Sequence, residues 1–242
     1  MLLPLSTEVA DRLDYLDETG STNAVLAERA RAGSAAEFDV VVTTSQTSGR
    51  GRLGRTWVAP PGKTIAVSVL LAPSAERLPW LPLVAGLAMT RAVRSLVVGH
   101  EVTLKWPNDV QVDGLKVSGL LAELVPGAGV VLGAGLNLTM EAHELPTPFS
   151  TSLTLVGADP DDIVDRALAA YLGELRRAYG LGPEDARREV ERECSTLGRR
   201  VRVELPGGDD LYGTATGIDE AGRLVVDGRA VAAGDVTHLR YE

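Results

Sequence analysis

The sequence predicts an α+β fold: a mixed β-sheet packed with helices, followed by a small β-barrel. Two observations carry this. Between Phe38 and Leu138 runs with strand character recur, and helical runs flank and interrupt them. After Leu197 the texture changes to short strands broken at Pro206-Gly207-Gly208, Asp219 to Gly222 and Asp227-Gly228, which suits a barrel of about 45 residues.

The elements follow in order. Ser21-Thr22-Asn23 reads as an N-cap opening an amphipathic helix with Val25, Leu26 and Ala30, closed by Gly33. Phe38 to Thr44 is a β-branched run and Thr64 to Leu71 alternates, so both are strands. Leu81 to Val98 is helical by period and mostly apolar. Val102 to Trp106, Val110 to Val112, Val117 to Leu124 and Val130 to Leu138 are strands, with Asp113-Gly114 as a hairpin turn. Asp159-Pro160 is expected to cap a helix whose apolar face holds Ile163, Ala167, Leu168, Tyr171, Leu172 and Leu175. Glu184 to Cys194 continues helically.

Composition narrows the function classes. Of 242 residues, 45% are hydrophobic and 24% charged, which excludes a long disordered chain. The net charge of −9 makes a poor general nucleic-acid binder, because phosphate neutralisation needs a basic face. Cys194 is the only cysteine, so no intrachain disulfide forms and a reducing compartment fits. The longest charge-free run, Leu124 to Met140, is broken by Pro126 and several glycines and cannot span a bilayer. The first residues carry Glu8, Asp11 and Asp14 without a basic region, unlike a signal peptide. A soluble cytoplasmic protein is expected.

The positive charge is unevenly distributed by type: 21 arginines but only Lys63, Lys105 and Lys116, all within one stretch. An arginine-rich chain that keeps lysine there points to a need for a compact ammonium. A loop of about 19 residues separates the first two of these strands, long enough to be functional. It holds Gly49-Arg50-Gly51-Arg52-Leu53-Gly54-Arg55-Thr56-Trp57 within an acid-free span from residue 40 to 75. The G-x-G-x-x-G match lacks the following helix and the acid of a dinucleotide fold. Gly62-Lys63-Thr64 fails as a P-loop because Trp57 occupies the place of the first glycine. The remaining reading is a clamp in which backbone amides and guanidinium groups approach a polyanionic small molecule together.

Lys105-Trp106-Pro107-Asn108-Asp109 places a second cluster at a strand end, where Pro107 stops the ladder. Asn108 and Asp109 can ligate a hard cation or orient an amine. Lys116-Val117-Ser118-Gly119 follows the hairpin turn, which aims Lys116 back at the same cleft. Gly133-Ala134-Gly135-Leu136-Asn137 ends the next strand with little side-chain bulk, as a close ligand requires. His100, His143 and His238 stand alone without metal-ligand spacing, and no G-x-S-x-G occurs.

On these residues the sequence resembles the biotin–protein ligases. The loop Gly49 to Trp57 is similar to that family's glycine-arginine ligand loop, and Lys105 to Asp109 and Lys116 to Gly119 match its K-W-P-N-D and K-x-x-G segments in order and spacing. Ser21-Thr22-Asn23, Gln46 and Gly133 to Asn137 match as well, so the resemblance covers almost the whole chain. Thr139 stands where many members carry a second Asn. The resemblance implies a class II synthetase-like catalytic domain over residues 1–195 and an SH3-like β-domain over residues 196–242. It implies that ATP activates biotin to biotinoyl-5'-AMP plus pyrophosphate with Mg²⁺, and that biotin then passes to a lysine of a biotin carboxyl carrier protein. By the same resemblance Ser21, Thr22, Asn23, Gln46, Arg50, Gly51, Arg52 and Lys116 bind biotin. Arg50, Arg52, Trp57, Asn108, Lys116 and Asn137 bind ATP or the adenylate; Lys116, Arg52 and Asp109 act catalytically; no protein-ligated metal is expected. Longer members begin with a DNA-binding winged helix. Here Ser21-Thr22-Asn23 sits near the start, so no DNA, no repressor role and no membrane are expected, and the protein should be a monomer or weak homodimer. A lipoate–protein ligase shares the reaction class. A non-enzymatic anion- or nucleic-acid-binding module is the other rival, and the net charge argues against it.

Overall fold

A computed structural model describes the chain apart from Val58, residues 206–209, Ala233, residues 240–242 and the side chain of Leu53. In chain order the elements are α1 (Pro4–Val9), β1 (Arg12–Leu16), α2 (Thr22–Arg31), β2 (Asp39–Thr43), β3 (Gly49–Arg50), β4 (Thr56–Trp57) and β5 (Thr64–Leu71). Then come α3 (Leu81–Leu96), β6 (Val102–Lys105), β7 (Asp109–Val112), β8 (Leu115–Val125), β9 (Gly129–Asn137), α4 (Ile163–Tyr179) and α5 (Pro183–Glu193). The chain finishes with β10 (Arg200–Glu204), β11 (Asp210–Ile218), β12 (Leu224–Val226), β13 (Arg229–Val231) and β14 (Asp235–His238).

Seven strands form one sheet in the order β1-β2-β5-β9-β8-β7-β6. Only β1 and β2 run parallel, so the sheet is mixed as expected. A second, antiparallel sheet has the order β13-β12-β11-β10-β14. Strand alternation sorts side chains between two faces. Val40, Val42, Ile65, Val67, Val69 and Leu71 pack against α3 and α4 in the main core. Val41, Leu70 and Val131 face the other way, under Leu26, Ala27 and Ala30 of α2.

Several elements depart from expectation. The segments β1 and α1 lack a readable signal: β1 holds Arg12 and Asp14 within five half-exposed residues, and α1 has one turn and a half. Strand β2 starts at Asp39 because Phe38 takes a positive φ. Asp159-Pro160 does not cap α4. That helix begins after Asp162 in the left-handed conformation, while Asp159 Oδ1 accepts the Asp161 N–H and closes the preceding turn. The long loop contains its own two-stranded hairpin, β3 with β4. The Pro206-Gly207-Gly208 break lies outside the described residues.

Candidate active site

The floor of the site is the α2 face of the sheet, beyond the N-terminus of that helix. Register places Ala66 opposite Gly135 and Gly135 opposite Gly119; the next row is Ser68, Gly133 and Leu121. Directly opposed residues project from the same face, so Ala66, Gly135, Gly119, Ser68 and Gly133 leave a depression bordered by Leu121 across β5, β9 and β8. A Cβ on Gly135 would run into the Trp57 indole, and one on Gly133 into the Asn23 carboxamide. Both glycines are needed for the close approach of these two side chains, where the sequence reading expected a ligand.

Around this floor a cavity of about 430 Å³ gathers residues from four parts of the chain. Ser21, Thr22, Asn23 and Gln46 close one end. Ser21 caps α2 by accepting the Ala24 N–H, and the Thr22 N–H donates to Gln46 Oε1 at 2.9 Å. The β3–β4 hairpin forms a side wall bearing Arg50, Arg52, Arg55 and Trp57. Arg52 donates to Asn108 Oδ1 at 3.1 Å, and Asn108 Nδ2 donates to the Leu120 carbonyl at 2.7 Å. The corner between β6 and β7 supplies Lys105 to Asp109, with a cis peptide at Trp106–Pro107. The indole of Trp106 is buried and donates to the Gly222 carbonyl, while its backbone N–H bonds Thr196 Oγ1, so the second sheet braces this corner.

Five cations, Arg50, Arg52, Arg55, Lys105 and Lys116, line a cavity in a protein of net charge −9. Burial pushes the Arg52 guanidinium below its ordinary value, and Asp109 opposes that shift. Burial lowers Lys105 too, with Asp109 opposing and Lys116 adding repulsion. Cations partly stripped of water in a concave site attract anions more strongly than exposed ones do.

All but one of the residues expected to bind or catalyse line this cavity. The exception is Asn137, which is buried and donates to the Thr151 carbonyl at 2.9 Å. Its visible work is to hold the segment after β9. Three features had no sequence signal. Glu123 receives both Asn23 and Arg50. Ser68 lies beneath Thr22 and Asn23. Glu204, Asp235, Val236 and Thr237 of the second sheet complete the wall, and Asp235 pairs with Arg55.

The comparisons with known proteins agree with this geometry. Residues 15–137 match the model of the Biotin/lipoate A/B protein ligase family, and residues 196–239 match that of the Biotin protein ligase C terminal domain. The chain belongs to the biotin/lipoate A/B protein ligase family. Within it, the biotin–[acetyl-CoA-carboxylase] ligase of Mycobacterium tuberculosis is 41% identical over 240 residues, covering 95% of this chain and 90% of that protein. The enzyme of the same name from Paracoccus denitrificans is 32% identical, covering 89% of this chain and 94% of its own. Among solved structures, the biotin protein ligase of Aquifex aeolicus in complex with biotin and ATP superposes with a TM-score of 0.76 at 28% identity. That match covers 96% of this chain and all (100%) of the other. The fold class is therefore that of the biotin protein ligases, with both sheets accounted for.

Proposed function

We propose that this protein is a biotin–protein ligase, which joins biotin to AMP at the expense of ATP and then transfers biotin to a lysine of a carboxyl carrier protein. The observation that carries the reading is a cavity with two chemically distinct ends. One end presents hydroxyls and carboxamides from Ser21, Thr22, Asn23 and Gln46, with Arg50 held beside them by Glu123; the other gathers Arg52, Lys105 and Lys116 around Asp109. A urea offers one acceptor and two donors to the first end, whereas a dithiolane offers none. A carboxylate and a triphosphate suit the second. The relatives named as biotin ligases support biotin over lipoate.

In the first step the biotin carboxylate attacks the α-phosphorus and pyrophosphate leaves. Two anions must be held in line, and Lys116, Arg50 and Arg52 offset their repulsion where charge is shared. Trp57 and Asn108 line the same cavity as the cations and in this reading meet the nucleotide. Mg²⁺ bound with ATP would supply charge neutralisation for the leaving pyrophosphate. Such an ion would draw mainly on phosphate and water oxygens, with the cavity carboxylates beside it. Asp109, Glu204 and Asp235 are the carboxylates that line the cavity. In the second step the carrier's lysine must shed a proton before attack, its free pKa being near 10.4. Asp109 is the group to orient or accept that amine.

Duplex DNA is not a partner in this reading, since the net charge is −9. A cytoplasmic setting fits the buried single thiol, raised in pKa by burial, and no described helix is long and apolar enough to cross a membrane. The deciding experiment is ATP–pyrophosphate exchange with biotin and with lipoate in parallel. Exchange driven by biotin alone is expected; exchange driven by lipoate alone would overturn the assignment.

A further inference from the structure

Glu123 sits on β8 one alternation beyond Leu121, at the edge of the polar end of the cavity. Its carboxylate receives Arg50 as a two-pronged pair, Nη1 to Oε1 at 3.0 Å and Nη2 to Oε2 at 3.1 Å. The same Oε2 accepts Asn23 Nδ2 at 2.6 Å. Asn23 Oδ1 in turn lies 2.5 Å from Ser68 Oγ, and Ser68 Oγ lies 2.8 Å from Thr22 Oγ1. Thus one carboxylate touches both the ligand loop and the α2 cap.

We propose that Glu123 is a positioning residue that sets the donor and acceptor pattern of the biotin pocket and ties that pocket to the ligand loop. The inference rests on the biotin reading above. A carboxylate only accepts, so it forces the Asn23 amide to turn its NH₂ toward β8 and its oxygen toward Ser68. Ser68 has one hydroxyl hydrogen and gives it to that oxygen. Thr22 Oγ1 sends its own hydrogen to Gln46 Oε1 at 3.3 Å. Thr22 Oγ1 is left with lone pairs for a ligand N–H. Gln46 is fixed by a parallel argument: its Oε1 accepts the Thr22 backbone N–H, so its NH₂ is the end left to donate. A urea, with two N–H groups beside one C=O, matches one acceptor and one donor so arranged. Without the charge on Glu123 the Asn23 amide can turn over, the Ser68 hydrogen then goes to Thr22 Oγ1, and it occupies the acceptor that the ligand N–H needs. Arg50 meanwhile loses its two-pronged anchor, so loop and pocket are released together.

The test uses the full chain and reads KM for biotin, KM for ATP and hydrogen exchange over residues 46–57. Glu123→Gln should raise KM for biotin about tenfold or more, the effect of one misdirected charge-assisted bond. It should speed exchange in the loop, and KM for ATP, which Arg50, Arg52 and Trp57 of that loop serve, should rise less than KM for biotin. The double variant Asn23→Asp with Glu123→Gln places the carboxylate on α2 and the amide on β8. Ser68 again donates to a carboxylate oxygen, so KM for biotin should fall at least about threefold below that of the single variant. The loop, still without its anchor at 123, should stay fast. Ser68→Ala should give the converse, a raised KM for biotin with an unchanged loop. Glu123→Gln with wild-type KM for biotin, or a double variant as impaired as the single one, would overturn the proposal while leaving the ligase assignment standing. A wild type without biotin-dependent exchange would remove that assignment and this inference with it.

Discussion

Lys116 Nζ lies 2.6 Å from Asp109 Oδ1, across the β7–β8 pair. Val110 opposes Ser118 and Gln111 opposes Lys116, so one extra residue, Val117, is accommodated on β8. Such a bulge re-aims the neighbouring side chain, and here it turns Lys116 toward the mouth of the cavity. In the proposed mechanism this pair would link the two steps of the reaction. Incoming anions compete for Lys116, and drawing it away leaves the Asp109 carboxylate open to an amine.

Lys116→Ala should therefore lose about 10²–10³ of the rate of biotin-dependent pyrophosphate exchange, the usual cost of one electrostatic donor at a reacting centre. The variant should stay folded, because Lys116 is part-exposed at the cavity edge. Lys116→Arg should recover only part of the rate, since a planar fork cannot occupy the point of an ammonium. Supplying preformed adenylate should bypass part of the Ala defect. Exchange within threefold of wild type in folded Lys116→Ala would make this lysine a bystander.

Gly133 and Gly135 should separate the two substrates, although they are two residues apart on one strand face. Gly135→Ala pushes the Trp57 indole off the floor, and KM for ATP should rise about tenfold with KM for biotin little changed. Gly133→Ala meets the Asn23 carboxamide instead, and the pattern should invert. Initial-rate kinetics in both substrates reads the result. Equal effects of both variants on both constants would refute the division of the cavity into two ends.

Residues 46–57 should exchange backbone hydrogens faster in the free protein than with biotinoyl-adenylate bound. The hairpin β3–β4 has two residues in each strand and lies outside the main sheet. Its side-chain ties are the pairs of Arg50 with Glu123, Arg52 with Asn108 and Arg55 with Asp235, with Trp57 resting on Gly135. Part-exposed ion pairs are each worth about 0–1 kcal/mol, so local opening is cheap until a ligand adds contacts. Hydrogen exchange identical with and without ligand would show that no such closure occurs.

His238 should make stability fall in mild acid. Burial, then the nearby Lys105 and Arg199 charges, hold its imidazole down at about 4. The unfolded chain, with an ordinary value near 6.5, takes up the proton first. Stability from this residue is thus complete above about pH 6.5 and declines as pH falls toward about 4. The site is part-exposed, so solvent screening limits the loss to about 1–2 kcal/mol. Urea unfolding at pH 7.5 and pH 5 should show that loss in wild type and less of it in His238→Gln. An equal loss in both would assign the acid sensitivity elsewhere.

Much of this was legible because local physics decides it. Thr64 to Leu71 is a strand at the expected residues, since eight alternating or β-branched positions leave no competing period. Ser21 caps α2 as its hydroxyl dictates, and Asp113-Gly114 turns with both φ positive, as an Asp-Gly hairpin does. The motif residues Arg50, Arg52, Trp57, Lys105, Asn108, Asp109 and Lys116 meet in one cavity, as their spacing around strand ends suggested. Where local preference was weak, the reading failed. At β1 a charged edge strand is held by pairing with β2, and at Asp159-Pro160 the capping residue serves the turn before the helix.

The sequence by itself pointed to the chemistry, an acidic chain with Lys105, Lys116 and a Gly-Arg loop at one anion-binding site, although the third lysine, Lys63, lies outside that cavity and pairs with Glu144. Only the tertiary structure decided what each polar group in that site does. Glu123 looks in sequence like any solvated charge on an alternating strand, and Ser68 like any small residue in an apolar one. Asn137 looks like a ligand group and spends its amide on Thr151. The physical reason is that a hydrogen-bonding role belongs to a pair or a chain of groups. The partners here, β5 with α2 and β8 with the ligand loop, lie tens of residues apart and meet only when the sheet is assembled.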